Sequence, residues 1–319
     1  MIELGPAIGI DVGGTKTAAL LVGRDGTVLA RDVRETPAGD QQATLETMVE
    51  AARAVATPEV VGVGIAAAGM VDLDGLMRYA PNLALRDAPL VSHVGGALGL
   101  FAVADNDANA AAWGEYRHGA GRGSRHLLMV SVGTGIGGGI VLDGHLYRGA
   151  NGFAGEIGHV VVAPDGPLCG CGNHGCWEQV ASGTAITRAG RRAAARHPHS
   201  SLGELAGGDP SGVTGDMVTE AARHGDTVSR GILVEVGYRL GVGIAGFVNV
   251  LDPDLVVVAG GVSEAGDLLL APARDAFRRS VEGRGHRPEV PIVQAALGGD
   301  SGAIGAAALA FEQVDEAAR

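Results

Sequence analysis

Two stretches of this chain repeat one local pattern. Residues 7–10 form a short apolar strand leading into Asp11-Val-Gly-Gly-Thr-Lys16, a second apolar run at 17–22 and a turn at Arg24-Asp-Gly26. Residues 127–132 form another apolar run, followed by Gly133-Thr-Gly-Ile-Gly-Gly-Gly139, a short run at 140–142 and a turn at Asp143-Gly144. Aligned, IDVGGTKTAALLVGRDG and VSVGTGIGGGIVLDG are two versions of one unit: strand, glycine turn, strand, turn. The repeat predicts an internal duplication and two halves of related topology. Between and after these units the pattern alternates. A helix is expected over 41–56, strands over 60–65 and 101–104, and a helix from Asp105-Asn-Asp-Ala108 to about 118. Helices are expected from about 184 to 243, a strand over 255–259 ending at Gly260-Gly261, a helix over 264–281, a strand over 290–294 and a last helix over 303–312. Strands alternating with helices imply α/β layers.

The glycine loops narrow the chemistry. Gly133-Thr-Gly135-Ile-Gly-Gly138 fits G-x-G-x-x-G literally, but a dinucleotide fingerprint must open a helix, and here a strand and a turn follow. No strand of Val-Ala-Ile-Lys type follows, which excludes the protein-kinase loop, and no Walker P-loop exists. Two glycine hairpins in corresponding places instead fit backbone N–H cradles for a nucleotide's phosphates, although each alone could be an ordinary hairpin. Asp11 at a strand end could hold Mg²⁺ through water, Thr15 and Thr134 offer hydroxyls, and Lys16 offers positive charge. Lys16 is the only lysine; the other 23 of the 24 basic residues are arginine.

All three cysteines, Cys169, Cys171 and Cys176, fall in one glycine-rich segment, an odd number that no complete disulfide framework accommodates. Three thiolates and one imidazole make a closed tetrahedral zinc site. His159 upstream and His174 inside the cluster are both candidate fourth ligands. The bland alternative is buried free thiols beside a surface loop.

A chain of 319 residues with 46% apolar content is long enough for about two domains. A net charge of −12 argues against nucleic acid and anionic membrane surfaces. No signal-peptide pattern opens the chain, and glycine or charge interrupts its apolar runs, so no membrane span is expected and the cytoplasm is the expected location.

These residues together resemble the ROK sugar kinases, a branch of the actin-like ATPases, and in particular their bacterial glucokinases. The matching stretches are Asp11-Val-Gly-Gly-Thr-Lys16, Ala80-Pro-Asn-Leu83, Asp105-Asn-Asp-Ala-Asn109, the 133–139 loop, Gly155-Glu-Ile-Gly-His159, the cysteine segment to Glu178, Ser182-Gly183 and Gly260-Gly261, in family order across 8–305. The resemblance implies two ribonuclease H-like α/β domains with an interdomain cleft. They would be an N-terminal domain over 1–120, with a C-terminal helix over 303–319 packing back on it, and a larger zinc-bearing domain over 121–302.

By the same resemblance, ATP with Mg²⁺ phosphorylates glucose at its 6-hydroxyl, and Asp107 is the catalytic base. Asn82, Asn106, Asp107, Glu156, His159 and Glu178 hold the sugar. Asp11, Gly13, Gly14, Thr15, Lys16, Thr134, Gly135, Gly260 and Gly261 hold the nucleotide. His159, Cys169, Cys171 and Cys176 hold a structural Zn²⁺, with His159 serving metal and sugar at once. A homodimer or homotetramer is implied.

Each role has a plainer alternative. Asp107 could cap the following helix, Glu156 and Glu178 could be solvated loop charges, and Asn82 and Asn106 could serve local backbone. Glu115 and Trp113 are expected to be surface and packing. Another hexose, such as N-acetylmannosamine, N-acetylglucosamine, mannose or fructose, is the alternative substrate. A non-catalytic sugar sensor is a further alternative. A sugar-responsive repressor, the other function in this family, would need a DNA-binding segment before the first strand, and the acidic balance disfavours it.

Overall fold

The structure, a computed structural model, describes residues 5–318. The elements in chain order are β1 (Ala7–Val12), β2 (Lys16–Val22), β3 (Val28–Glu35), α1 (Gln41–Val55), β4 (Val63–Ala67), β5 (Met70–Val71), β6 (Met77–Tyr79), β7 (Arg86–Ala88), α2 (Leu90–Leu98), β8 (Ala102–Asn106) and α3 (Asp107–His118). There follow β9 (Leu127–Val132), β10 (Ile136–Leu142), β11 (His145–Leu146), α4 (Glu178–Ala181), α5 (Gly183–Arg196), α6 (Ser201–Leu205), α7 (Gly215–Arg223), α8 (Thr227–Leu251), β12 (Leu255–Ala259), α9 (Asp267–Ser280), β13 (Ile292–Gln294) and α10 (Ser301–Ala317).

The two large sheets have the same plan. One runs β3-β2-β1-β4-β8 and the other β11-β10-β9-β12-β13, so each is ordered 3-2-1-4-5 by appearance. Each repeat supplies the antiparallel strands of one sheet, and parallel strands are then added on the other side of its first strand. A further small sheet, β5-β6-β7, is absent from the sequence expectation, because strands of two or three residues carry no periodicity to detect.

Contacts divide the chain into two units: residues 5–129, 138–155 and 295–318 in the first, and 130–137 with 156–294 in the second. In the first unit β1 alternates. Ile8, Ile10 and Val12 point into a core with Leu45, Met48 and Leu90. Ala7 joins a second cluster with Leu20, Val22, Ala303, Ala307 and Phe311 of the α10 side. Gly9 and Gly64 make that second face possible. A Cβ on either would lie 1.8 Å from a carbonyl of α10, Ala303 O for Gly9 and Ala306 O for Gly64. The final helix therefore lies directly on β1 and β4, closer than any side chain would allow.

Two local expectations need correction. Gly137, Gly138 and Gly139 belong to β10, so the second glycine turn is only Gly133–Gly135. Gly139 is held as strand because α3 crosses it so closely that a Cβ would meet Ala112 Cβ at 2.3 Å. Glu115, expected at the surface, is fully buried. Its Oε2 accepts the N–H groups of Ala120 (2.8 Å) and Ala296 (3.0 Å), and its Oε1 accepts that of Leu297 (2.8 Å).

In the second unit α8 packs on α9, with Gly237 and Gly241 at the contact. Among the described residues α8 alone is long and apolar enough to cross a bilayer by length and composition, which the sequence reading did not anticipate. Half of its apolar window is buried within the protein, including Leu233, Leu240 and Ile244. Helix packing covers that half, while Val234, Tyr238, Val242 and Val250 are exposed.

Candidate active site and metal centre

In the first unit the parallel strands β1, β4 and β8 end at one edge. The register pairs Asp11 with Ala66 and Ala66 with Asp105, so the carboxylates of β1 and β8 share a row two strands apart. The carboxyl ends of parallel strands are where ligands bind in α/β sheets. Asp11 lies on the α10 side of β1. A Cβ on Gly302, in the first turn of α10, would meet Asp11 Oδ2 at 2.7 Å, so a glycine there leaves room for the carboxylate. Burial, reinforced by Asp107 and opposed by Lys16, pushes Asp11 up to about 7.

Asp107 is the first residue of α3, and it is not the cap. Asn106 is: its Oδ1 accepts the N–H groups of Ala108 (2.8 Å) and Asn109 (3.1 Å). Asn106 Nδ2 donates to Gly69 O at 3.0 Å. The cap removes the plainer explanation for Asp107, whose carboxyl is raised above its ordinary range chiefly by burial. Asn82 is exposed, and its backbone lies against Gly14, where a Cβ would come within 3.1 Å of Asn82 O. Gly13 closes the first glycine turn by donating to Lys16 O (3.0 Å), leaving Thr15 and Lys16 exposed.

In the second unit His159 is surrounded by the other sequence candidates. His159 Nε2 is 3.8 Å from Glu156 Oε2, and its Nδ1 is 3.9 Å from Glu178 Oε1 and 3.6 Å from Cys169 Sγ. Glu178 Oε2 also approaches the second glycine turn, where a Cβ on Gly135 would lie 2.4 Å away. Donor atoms of His159, Cys169, Cys171 and Cys176 all lie within 4.8 Å of one another. Cys171 and Cys176 Sγ are 3.6 Å apart, close to the edge of about 3.8 Å expected of a tetrahedron with Zn–S bonds of about 2.3 Å. His174, the rival ligand, is exposed and its Nδ1 lies 3.1 Å from Gly166 O. Burial pushes the Cys169 thiol up to about 12, so a cation is the natural means of keeping it ionised.

Thr134 and Gly261 open onto a cavity of about 870 Å³, lined also by Gly183, Thr184, Thr219 and Arg223. Gly183 N–H donates to Gly133 O (2.8 Å), and Thr184 Oγ1 to Thr134 O (2.7 Å), joining the glycine turn to the start of α5. Gly183 is among the residues singled out in the sequence, whereas Thr184, Thr219 and Arg223 are not, because they are ordinary polar side chains on helices with no distinctive spacing.

The ROK family profile matches residues 7–313. The chain is 41% identical to the glucokinase of Streptomyces coelicolor over 314 residues, 97% of this chain and 98% of that protein. It is 36% identical to the glucokinase of Thermotoga maritima, over 96% of this chain and 98% of that protein. A crystal structure of a ROK family glucokinase from Streptomyces griseus in complex with glucose and AMPPNP superposes with a TM-score of 0.87 at 42% identity, over 97% of this chain and 100% of that one. On fold, sequence and coverage alike, this chain belongs to the ROK family and has the two-domain actin-like fold of its kinases.

Proposed function

We propose that this chain is an ATP-dependent glucokinase, with Asp107 as its base. The carrying observation is local: Asn106 takes the capping duty of α3, leaving the adjacent Asp107 carboxyl for chemistry at the carboxyl end of β8. Its similarity to a glucokinase solved with glucose and AMPPNP supports both substrates. In this reading Asp107 accepts a hydrogen bond from the sugar 6-hydroxyl and aims that oxygen at the γ-phosphorus. As the new O–P bond forms, the bond from the γ-phosphorus to the β,γ-bridging oxygen breaks, ADP leaves, and the hydroxyl proton passes to Asp107. Positioning supplies most of the rate, and burial supplies a base whose proton affinity is raised above that of an ordinary aspartate.

Asn82, Asn106, Glu156, His159 and Glu178 are the proposed partners of the sugar hydroxyls. The glycine turns with Thr15, Lys16, Thr134 and Gly260-Gly261 are the proposed phosphate cradle. The 870 Å³ cavity beside α5 is the proposed nucleoside site, within the usual size of small-molecule pockets. Asp11 is the residue proposed to hold Mg²⁺, which when bound neutralises phosphate charge. The Cys₃His donors fit Zn²⁺ in number, type and spacing, and the ion would lock the His159 ring and its tautomer. The same reading carries a cytoplasmic enzyme that assembles as a homodimer or homotetramer.

The test is ADP release from MgATP with glucose, mannose, fructose, N-acetylglucosamine and N-acetylmannosamine. A kcat/KM for glucose at least tenfold above the others is expected. Preference for another sugar would correct the substrate, and no ADP with any of them would overturn the kinase reading.

A further inference from the structure

Behind Asn106 and Asp107 lies a buried carboxylate that the proposed chemistry does not use. Asp105 is 3% exposed, and its two oxygens take three donors. Oδ1 accepts the Asn106 N–H (2.8 Å) and Asn109 Nδ2 (2.9 Å), while Oδ2 accepts Arg148 Nε at 2.6 Å. One side chain thus holds the backbone where β8 ends and a side chain in the first turn of α3. Arg148 comes from the segment after β11, more than forty residues on. Its carbonyl accepts the Ala154 N–H at 3.1 Å, which closes the 148–154 loop on itself. The end of that loop returns to the same helix turn: a Cβ on Gly155 would lie 3.3 Å from Asn109 Oδ1. The loop is therefore fastened to the β8–α3 junction at both ends, by the ion pair of Arg148 with Asp105 of β8 and by close packing of Gly155 on Asn109 of α3.

We propose that Arg148 is a positioning residue for phosphoryl transfer: by holding the Asp105 carboxylate in place, it fixes the first turn of α3 and so the aim of Asp107. The inference rests on the reading of Asp107 as the base. A buried carboxylate needs a partner and a full set of hydrogen bonds, and removing one partner is costly. Without Arg148 the carboxylate loses its ion pair, and the side chain that anchors the Asn106 N–H and Asn109 Nδ2 is no longer held from the loop side. Asp107 follows Asn106 directly, so looseness at the Asn106 N–H is transmitted to the base through one residue. Misplacement of a reacting group by about 1 Å can cost about 100-fold in rate.

Arg148→Ala is expected to lower kcat by about 10- to 100-fold while glucose KM changes less than about 5-fold. Guanidinium, well below denaturing concentrations, should restore part of that kcat, since Arg148 is one-third exposed and its place is reachable from solvent. Arg148→Lys, which keeps a cation near Asp105, should retain most of the activity and serves if the alanine variant does not fold. Asp105→Asn should show the same kcat loss, and the double variant should be no worse than either single, because both cut one connection. A folded Arg148→Ala protein with kcat within about twofold of the parent would overturn the proposal. So would additive losses in the double variant, or a lowered melting temperature whose activity loss guanidinium does not rescue. Every comparison is made to the parent's own turnover, so a parent without sugar kinase activity sinks the kinase reading, whereas an active parent unaffected by Arg148→Ala sinks only this one.

Discussion

Replacing Asp11 with asparagine should stabilise the ligand-free protein as it disables it. Asp11 has an ordinary value of 3.8, and burial, with Asp107 adding to it, raises that to about 7. An acid raised by folding binds its proton more tightly in the native state, so ionising it opposes folding. The cost begins near the unfolded value and is complete once pH passes the folded one. At about 1.4 kcal/mol per unit, a gap of roughly three units costs about 4 kcal/mol above pH 8, of which about 2.5 kcal/mol develops between pH 5 and pH 8. Asparagine is of similar size and carries no charge. The stability gap between variant and parent should therefore widen by about 2.5 kcal/mol across that window, or roughly 4 °C in melting temperature for a chain of 319 residues. Thermal unfolding followed by circular dichroism, on EDTA-treated protein in buffers across that range, measures it. The same variant should lose at least about 100-fold in turnover with MgATP if Asp11 serves the metal–nucleotide. Parallel pH profiles for the two proteins would refute the electrostatic reasoning, and retained turnover would remove Asp11 from the metal site.

Asp107→Asn keeps the size and removes the base; turnover should fall at least about 1,000-fold while glucose binding stays measurable by calorimetry, and turnover near the parent's would end the base assignment. Cys171→Ser should purify with less than about a tenth of the parent's zinc by elemental analysis and bind glucose more weakly through a loosened His159; unchanged metal content would contradict the site. Glu115→Ala removes the acceptor of three part-buried N–H groups and should cost roughly 2–4 kcal/mol in denaturant unfolding, against less than about 1 kcal/mol if Glu115 were a surface residue.

What the sequence could reveal depended on how local the signal was. The two glycine turns were legible because each is written in consecutive residues, and their repetition accounts for the matching antiparallel strands of the two sheets, while the parallel strands beyond them lie outside the repeat. The cysteine segment was legible as a donor set, since three thiols within eight positions need no tertiary contact to be noticed. The choice between His159 and His174 was different. On composition the two are equal and the resemblance picks His159; in the folded loop His159 Nδ1 lies 3.6 Å from Cys169 Sγ, while His174 Nδ1 lies 3.1 Å from a backbone carbonyl. Asp105-Asn-Asp-Ala108 announced a helix start, but which residue caps it depends on where β8 ends, and that is set by pairing with β4.

Sequence alone determined the class of this protein: the duplicated strand–glycine–strand unit, the acidic charge and the ordered motifs are properties of residues near one another in the chain. Tertiary structure decided which charges are buried and what they do. Glu115 reads as a surface glutamate on a helix, yet its partners at Ala296 and Leu297 lie far along the chain, and it becomes the pin between the end of α3 and the approach to α10. Asp105 and Arg148 likewise carry no shared pattern. A buried ion pair is a relation between distant segments, and its energy depends on the exclusion of water, which no window of sequence contains.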